Sequence, residues 1–170
     1  MNIVDDFLDY GSHQLIKESL EYRDFWTFDP YKAGGSSGIQ DGQLTHNFYF
    51  EMERSPHIEV LLPILHRVKP LAIWRIKANL QLHGGDSPYK SNWHYDFTGD
   101  GYPVSDMMTA IYYVNSNNGY TEFNDCKVES VSNRMVFFPS NTKHRGVNAT
   151  NVKARYVINF NYFPMKLDKS

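Results

Sequence analysis

The chain has 170 residues, 41% apolar and 15% aromatic, enough to bury one substantial core but not to build two independent domains. Its formal net charge of −2, with no long run of Lys or Arg, excludes an obvious nucleic-acid groove or membrane-surface stripe. The lone cysteine, Cys126, excludes an internal disulfide framework and a cysteine-based zinc cluster, and reads as a buried thiol in a reducing compartment.

No basic segment leads into an apolar core of secretory length, and no apolar run approaches ~20 residues. The expectation is a soluble, cytoplasmic protein with no membrane partner. Ile3, Val4, Phe7 and Leu8 form a short apolar opening, followed by an amphipathic helix from Ser12 to Glu21 with Ser12 as its N-cap. The tract Gly34 to Gly38 reads as a loop, either a cover over a site or a linker. Ser55, Pro56 and the spacing of Ile58, Leu61, Leu62 and Leu65 predict a second helix that closes before Pro70.

From residue 71 the hydrophobic period becomes two. Trp74, Ile76, Ala78, Leu80 and Leu82 alternate with Arg75, Lys77, Asn79 and Gln81, so a strand here meets two different environments. Met108 to Val114, Lys127 to Val131, Met135 to Phe138 and Tyr156 to Phe163 are further strands, rich in β-branched and aromatic residues. Short strands after two helices predict a mainly β (α+β) fold: a double-stranded β-helix, or jelly roll, with the N-terminal helices packed outside one sheet. The organisation expected is one domain over 1–170, with helical support and loops in 1–70 and the jelly-roll core in 71–164.

The chemistry gathers in the second part. In WHYDF, His94 and Asp96 are two apart and leave the same face of an extended backbone. His144, read as lying near the end of the strand that starts at Met135, can join them in a closed β fold. Two imidazoles and a carboxylate cover one face of an octahedral ion and leave the other positions open, the arrangement of non-haem iron(II) oxygenases, although zinc fits the same ligands. Strand parity groups Arg155 with Val157, Asn159 and Asn161, opposite the apolar Tyr156, Ile158, Phe160 and Tyr162. On that face the Arg155 guanidinium offers a fork to a carboxylate; on composition alone it also reads as a surface arginine at a strand start. His13, His46, His57 and His66 read as surface or capping residues, His83 as structural, and Trp93 as core.

The blocks WHYDF, TAIYYVNSNNGYTEF, NRMVFFPSNTKHRG and ARYVINFNYF, in this order and spacing, resemble the prolyl 4-hydroxylase branch of the 2-oxoglutarate and iron(II)-dependent dioxygenases. They are similar also to oxygen-sensing prolyl hydroxylases and to small bacteriophage oxygenases. The likeness covers residues 71 to 163, with a weaker echo in IVDDFL. It implies that His94, Asp96 and His144 hold Fe(II), that Arg155 binds the distal carboxylate of 2-oxoglutarate, and that Tyr113 hydrogen-bonds the same group. Asn159 and Gln81 are the remaining candidates to touch this co-substrate. Gln81, with Asn79 on the same face, stands where many relatives carry a tyrosine, and Gly119-Tyr120 replaces a common Gly-Gly.

By the same resemblance, the reaction consumes O2 and 2-oxoglutarate, releases succinate and CO2, and hydroxylates a second substrate. That substrate is a peptidyl residue such as proline, or else a free small molecule or nucleotide. A cupin-like metal-binding module without oxygenase activity is the alternative outside this class, and Arg155 with Tyr113 argues against it.

Overall fold

A computed structural model describes residues 1–30, 42–83, 85–96, 98–99, 102–103 and 106–165. The tract Gly34 to Gly38 and Gly84 lie outside the described residues. The first part of the chain contributes β1 (Asn2–Val4), α1 (Tyr10–Tyr22), β2 (Thr27–Asp29), β3 (Gln43–Phe50) and β4 (Glu53–Arg54). A 3-10 helix, Ile58–Leu61, runs into α2 (Leu62–Val68). The long strand β5 (Pro70–Leu82) follows, then a small hairpin of β6 (Thr98–Gly99) and β7 (Tyr102–Pro103). The chain continues through β8 (Met108–Tyr113), β9 (Tyr120–Phe123), β10 (Lys127–Glu129), β11 (Arg134–Pro139), β12 (His144–Val147) and β13 (Ala154–Pro164).

The major sheet runs β1-β11-β8-β13-β5-β3-β2, with β4 added to β3, and every pairing is antiparallel. A minor sheet, β10-β9-β12, lies against it, so the jelly roll expected from the spacing of the strands is the fold observed. Residues 1–70 hold more than helices and loops, because β1, β2 and β3 enter the major sheet. The strand β3 is hard to read from sequence: its buried residues include the polar Gln43 and Thr45 beside Phe48, so no apolar alternation marks it.

Both sides of the major sheet are decided by strand parity. Ile76 and Ala78 of β5 and Ile158 and Phe160 of β13 pack under the helices against Ile16, Leu20, Leu61 and Ile64. Each such Ile, Leu or Phe side chain contributes about 1.5–3 kcal/mol when fully buried. The alternate residues of the same strands face the interior between the sheets. There, a second cluster of Ile111, Phe123, Val136, Phe138 and Val157 closes part of the barrel, and the polar side chains occupy the rest.

Several local expectations are corrected. Asp9, not Ser12, caps α1, its carboxylate accepting from the Ser12 amide at 3.0 Å. His13 is buried and bridges helix to sheet, 2.7 Å from the Tyr112 hydroxyl and 2.8 Å from Ser132 Oγ. Cys126 is exposed, because it lies in the turn between β9 and β10 where no sheet covers it. His144 begins its own strand in the minor sheet, since β11 ends at Pro139, a residue without an amide hydrogen to carry the ladder on. Trp93 is half-buried beneath the Arg145 guanidinium, 4.5 Å from its ring centre, rather than part of the core. No helix among the described residues is long and apolar enough to cross a membrane.

Candidate active site

His94 and His144 meet across a backbone pair: each amide donates to the other's carbonyl at 3.0 Å, in an antiparallel bridge that extends the minor sheet. The rings lie side by side, their centres 4.7 Å apart. At 2.9 Å the His94 Nδ1 meets the carbonyl of Asn92, and at 3.0 Å the His144 Nδ1 meets that of Thr142. A carbonyl only accepts, so in the neutral rings Nδ1 carries the proton and Nε2 keeps its lone pair. Those Nε2 atoms lie 3.9 Å (His94) and 3.7 Å (His144) from Oδ1 of Asp96. Burial pushes the His94 imidazole below its ordinary 6.5, and the neighbouring His144 adds to the shift, which keeps the ring in the neutral form that a metal needs.

Asp96 is fixed from behind. The buried Asn161 amide donates to Asp96 Oδ2 at 3.1 Å and accepts from Arg75 Nε at 3.0 Å, while the Arg75 guanidinium reaches to 3.8 Å from Oδ1. Burial alone pushes the Asp96 carboxyl up, but His144, Arg75, His94 and the Asn161 amide together outweigh it and hold it at about 2. Asp96 is therefore a carboxylate at any physiological pH, with Oδ1 left facing the two imidazoles. Donor atoms of the three residues all lie within 4.8 Å of one another. The two Nε2–Oδ1 separations, 3.9 and 3.7 Å, fall within the about 4.4 Å that two ligand bonds of about 2.2 Å can span. The donor set fits a divalent transition metal.

Beside this trio opens a cavity of about 110 Å³, several times the roughly 15 Å³ that one water needs. Arg155 sits in its wall, only 2% exposed. The guanidinium donates to Ser130 Oγ at 2.8 Å and to Gln81 Oε1 at 2.9 Å, and lies 5.6 Å from the centre of the Tyr113 ring. Burial brings its pKa down to about 10, and among the described residues no carboxylate pairs with it. A buried cation with neutral partners alone is costly unless an anion joins it. Asn159 Oδ1 faces the same cavity, buried and without a hydrogen-bond partner, a polar group that only an occupant of the cavity can satisfy. A carboxylate fits against the Arg155 guanidinium, whereas Asn159 Oδ1, an acceptor, calls for a donor such as water or a hydroxyl.

The sequence-predicted residues thus converge, with one difference in role. Gln81 and Asn159 line the cavity directly, whereas the Tyr113 hydroxyl is donated to Thr121 Oγ1 at 2.7 Å. Thr121 lines the cavity, so Tyr113 reaches it through a neighbour whose own hydroxyl hydrogen remains to be donated. His83 points elsewhere, to the carbonyl of Thr150 at 2.9 Å. Arg75, Lys77, Asn161, Thr121 and Ser130 were not singled out from sequence. For the first three, the polar parity of β5 and β13 carried the signal.

Gly119 has a defined part in this arrangement. A Cβ there would come within 2.8 Å of Arg155 Cδ and of the Val147 carbonyl oxygen, one a side-chain stem and the other backbone that cannot easily yield. Gly119→Ala is expected to destabilise the protein by about 1–3 kcal/mol, as overpacking does. The same change should weaken 2-oxoglutarate binding while leaving metal binding intact. Thermal unfolding and calorimetry on the same sample check both.

The sequence profile of the 2OG-Fe(II) oxygenase superfamily matches residues 78–163. The chain belongs to this superfamily. Its members use iron(II), 2-oxoglutarate and dioxygen, and the matched residues include all three candidate ligands and Arg155. No curated protein sequence matches the chain. Among solved structures, a prolyl hydroxylase from Trichoplax adhaerens, in complex with a hypoxia inducible factor oxygen degradation domain peptide fragment, has a TM-score of 0.66 and 15% identity, covering 96% of this chain and 83% of that one. The viral collagen prolyl hydroxylase of Paramecium Bursaria Chlorella virus-1, as its 2-oxoglutarate complex, gives 0.61 and 14%, with coverage of 97% and 96%. A Pseudomonas putida prolyl-4-hydroxylase gives 0.60 and 16%, with coverage of 97% and 92%. At these identities the likeness establishes the fold, which this oxygenase shares with all three.

Proposed function

We propose that this oxygenase is a hydroxylase in which His94, Asp96 and His144 hold iron(II) and Arg155 pairs with the far carboxylate of 2-oxoglutarate. The observation that carries the reading is the buried Arg155, which lines the cavity beside the His-Asp-His trio and has no carboxylate partner among the described residues. A metal-binding module that ignores 2-oxoglutarate would have no use for a cation there. When bound, the metal and co-substrate would supply the oxidising chemistry with dioxygen, one oxygen atom of which ends in succinate as 2-oxoglutarate loses CO2 and the other in a C–H bond of the substrate.

The protein's own residues have positioning roles. The carbonyls of Asn92 and Thr142 hold both imidazoles in one tautomer, with Nε2 free. Asn161 and Arg75 keep Asp96 ionised and oriented. Gln81 and Ser130 hold the Arg155 fork in place, and Asn159 and Thr121 offer hydrogen bonds to whatever fills the cavity.

For the substrate oxidised, a peptidyl residue such as proline is the first candidate, supported by the peptide bound to the Trichoplax adhaerens structure and by the collagen prolyl hydroxylase likeness. A free small molecule or nucleotide is the second reading, favoured by the surplus of positive charge around the cavity. The test is incubation with iron(II), 2-oxoglutarate and either proline-rich peptides or a metabolite pool, followed by mass spectrometry. The expected result is one product heavier by a single oxygen atom, formed only with both iron(II) and 2-oxoglutarate present. Succinate formation that no peptide or metabolite stimulates would count against a hydroxylase of either kind.

A further inference from the structure

The cavity holds more positive charge than its cofactors can use. Arg75, Lys77 and Arg155 line it against the single carboxylate Asp96, among the described residues. Iron(II) and the dianion 2-oxoglutarate cancel each other in charge, so binding both leaves the excess standing. Lys77 is the cation without an assignment. It makes no ion pair or hydrogen bond to a described residue, and Asp29 and Asp96 act on it only at longer range. Burial, then the like charge of Arg75, pushes the Lys77 ammonium below its usual value, and an anion arriving beside it would relieve both effects.

Register separates Lys77 from the co-substrate's anchor. On β5, Gln81 faces Arg155 of β13 while Lys77 faces Asn159 and Arg75 faces Asn161. Four residues separate Gln81 from Lys77, roughly 13 Å of strand. Across β5 on its other side, Lys77 faces the exposed Asn47 of β3, so it stands toward the open side of the cavity. Arg75 adds a second cation at the same end, beside Asp96.

We propose that Lys77, with Arg75, receives an anionic group, a carboxylate or a phosphate, carried by the substrate that is oxidised. This rests on the hydroxylase reading above and names the chemistry of its substrate: the C–H bond presented to the metal lies on a molecule with an acidic group close by. An uncharged peptide side chain flanked by neutral residues would leave Lys77 unpaired.

The test uses protein loaded with manganese(II) and saturating 2-oxoglutarate, titrated separately with inorganic phosphate and with acetate. Unpaired electrons on the manganese broaden the NMR signal of any anion held nearby, so binding is read without turnover. Saturable broadening is expected for at least one of the two anions, and the one bound more tightly identifies the acidic group. Lys77→Met should weaken that binding at least tenfold, Lys77→Arg should retain most of it, and 2-oxoglutarate affinity measured by calorimetry should stay within about twofold across all three proteins. The proposal is overturned if neither anion binds saturably, if Lys77→Met leaves the broadening unchanged, or if Lys77→Met lowers 2-oxoglutarate affinity tenfold, since Lys77 would then serve the co-substrate. Wild-type protein that failed to bind manganese or 2-oxoglutarate would remove the hydroxylase reading first, a failure distinct from these three.

Discussion

Arg155→Ala raises the 2-oxoglutarate requirement at least tenfold and leaves metal affinity unchanged. A charge-assisted hydrogen bond contributes roughly 1.5–3 kcal/mol, and a carboxylate left buried without its partner can cost about 3–5 kcal/mol. Since ~1.4 kcal/mol is one decade in affinity, even the smallest of these figures is enough. Arg155→Lys recovers only part of the loss. An ammonium keeps the charge, but the planar fork that also donates to Ser130 and Gln81 is gone. Tyr113→Phe gives a smaller defect in the same direction, because its hydroxyl acts through Thr121 rather than on the co-substrate itself. A 2-oxoglutarate titration of the metal-loaded variants separates the three. Wild-type affinity in Arg155→Ala would remove 2-oxoglutarate from this site.

The larger loss concerns the metal. Asp96→Ala and His144→Ala each delete one of three ligands, so affinity for iron(II), or for manganese(II) as its surrogate, falls by more than the about 10–100-fold that follows loss of an outer partner. Asn161→Ala stands between those variants and wild type, in the 10–100-fold range typical of an outer partner. It leaves the three ligands present but frees Asp96 Oδ2 and removes the acceptor that holds Arg75 Nε beside the carboxylate. Metal titration by calorimetry ranks these proteins. An order in which Asn161→Ala equals or exceeds Asp96→Ala would mean that Asp96 is not a ligand.

Much of this was legible because it depends on period and spacing. The alternation along β5 and β13 separates the helix-facing Ile76, Ala78, Ile158 and Phe160 from the cavity-facing Gln81, Arg155 and Asn159, whatever the rest of the fold does. His94 and Asp96 are legible for the same reason, being neighbours on one face. What sequence does not carry is set by partners distant in the chain. The strand that holds His144 exists because it pairs with β9, and His94 joins it only by a backbone bridge, so no local propensity marks that start. His13 reads as a surface residue until Tyr112 and Ser132 close over it. Arg75 becomes part of the site when the fold sets it beside Asp96, with Asn161, from the far end of the chain, bonded to both. Tyr113 matches its expected place but spends its hydroxyl on Thr121, a contact that only the pairing of sheets reveals.

The most direct measurement is the affinity of wild-type protein for 2-oxoglutarate with and without manganese(II). If the His-Asp-His trio and Arg155 hold opposite ends of one co-substrate, its affinity rises at least tenfold when the metal is present, and Asp96→Ala abolishes that gain. Equal affinity with and without metal in the wild type would contradict a shared site and separate the metal from the arginine.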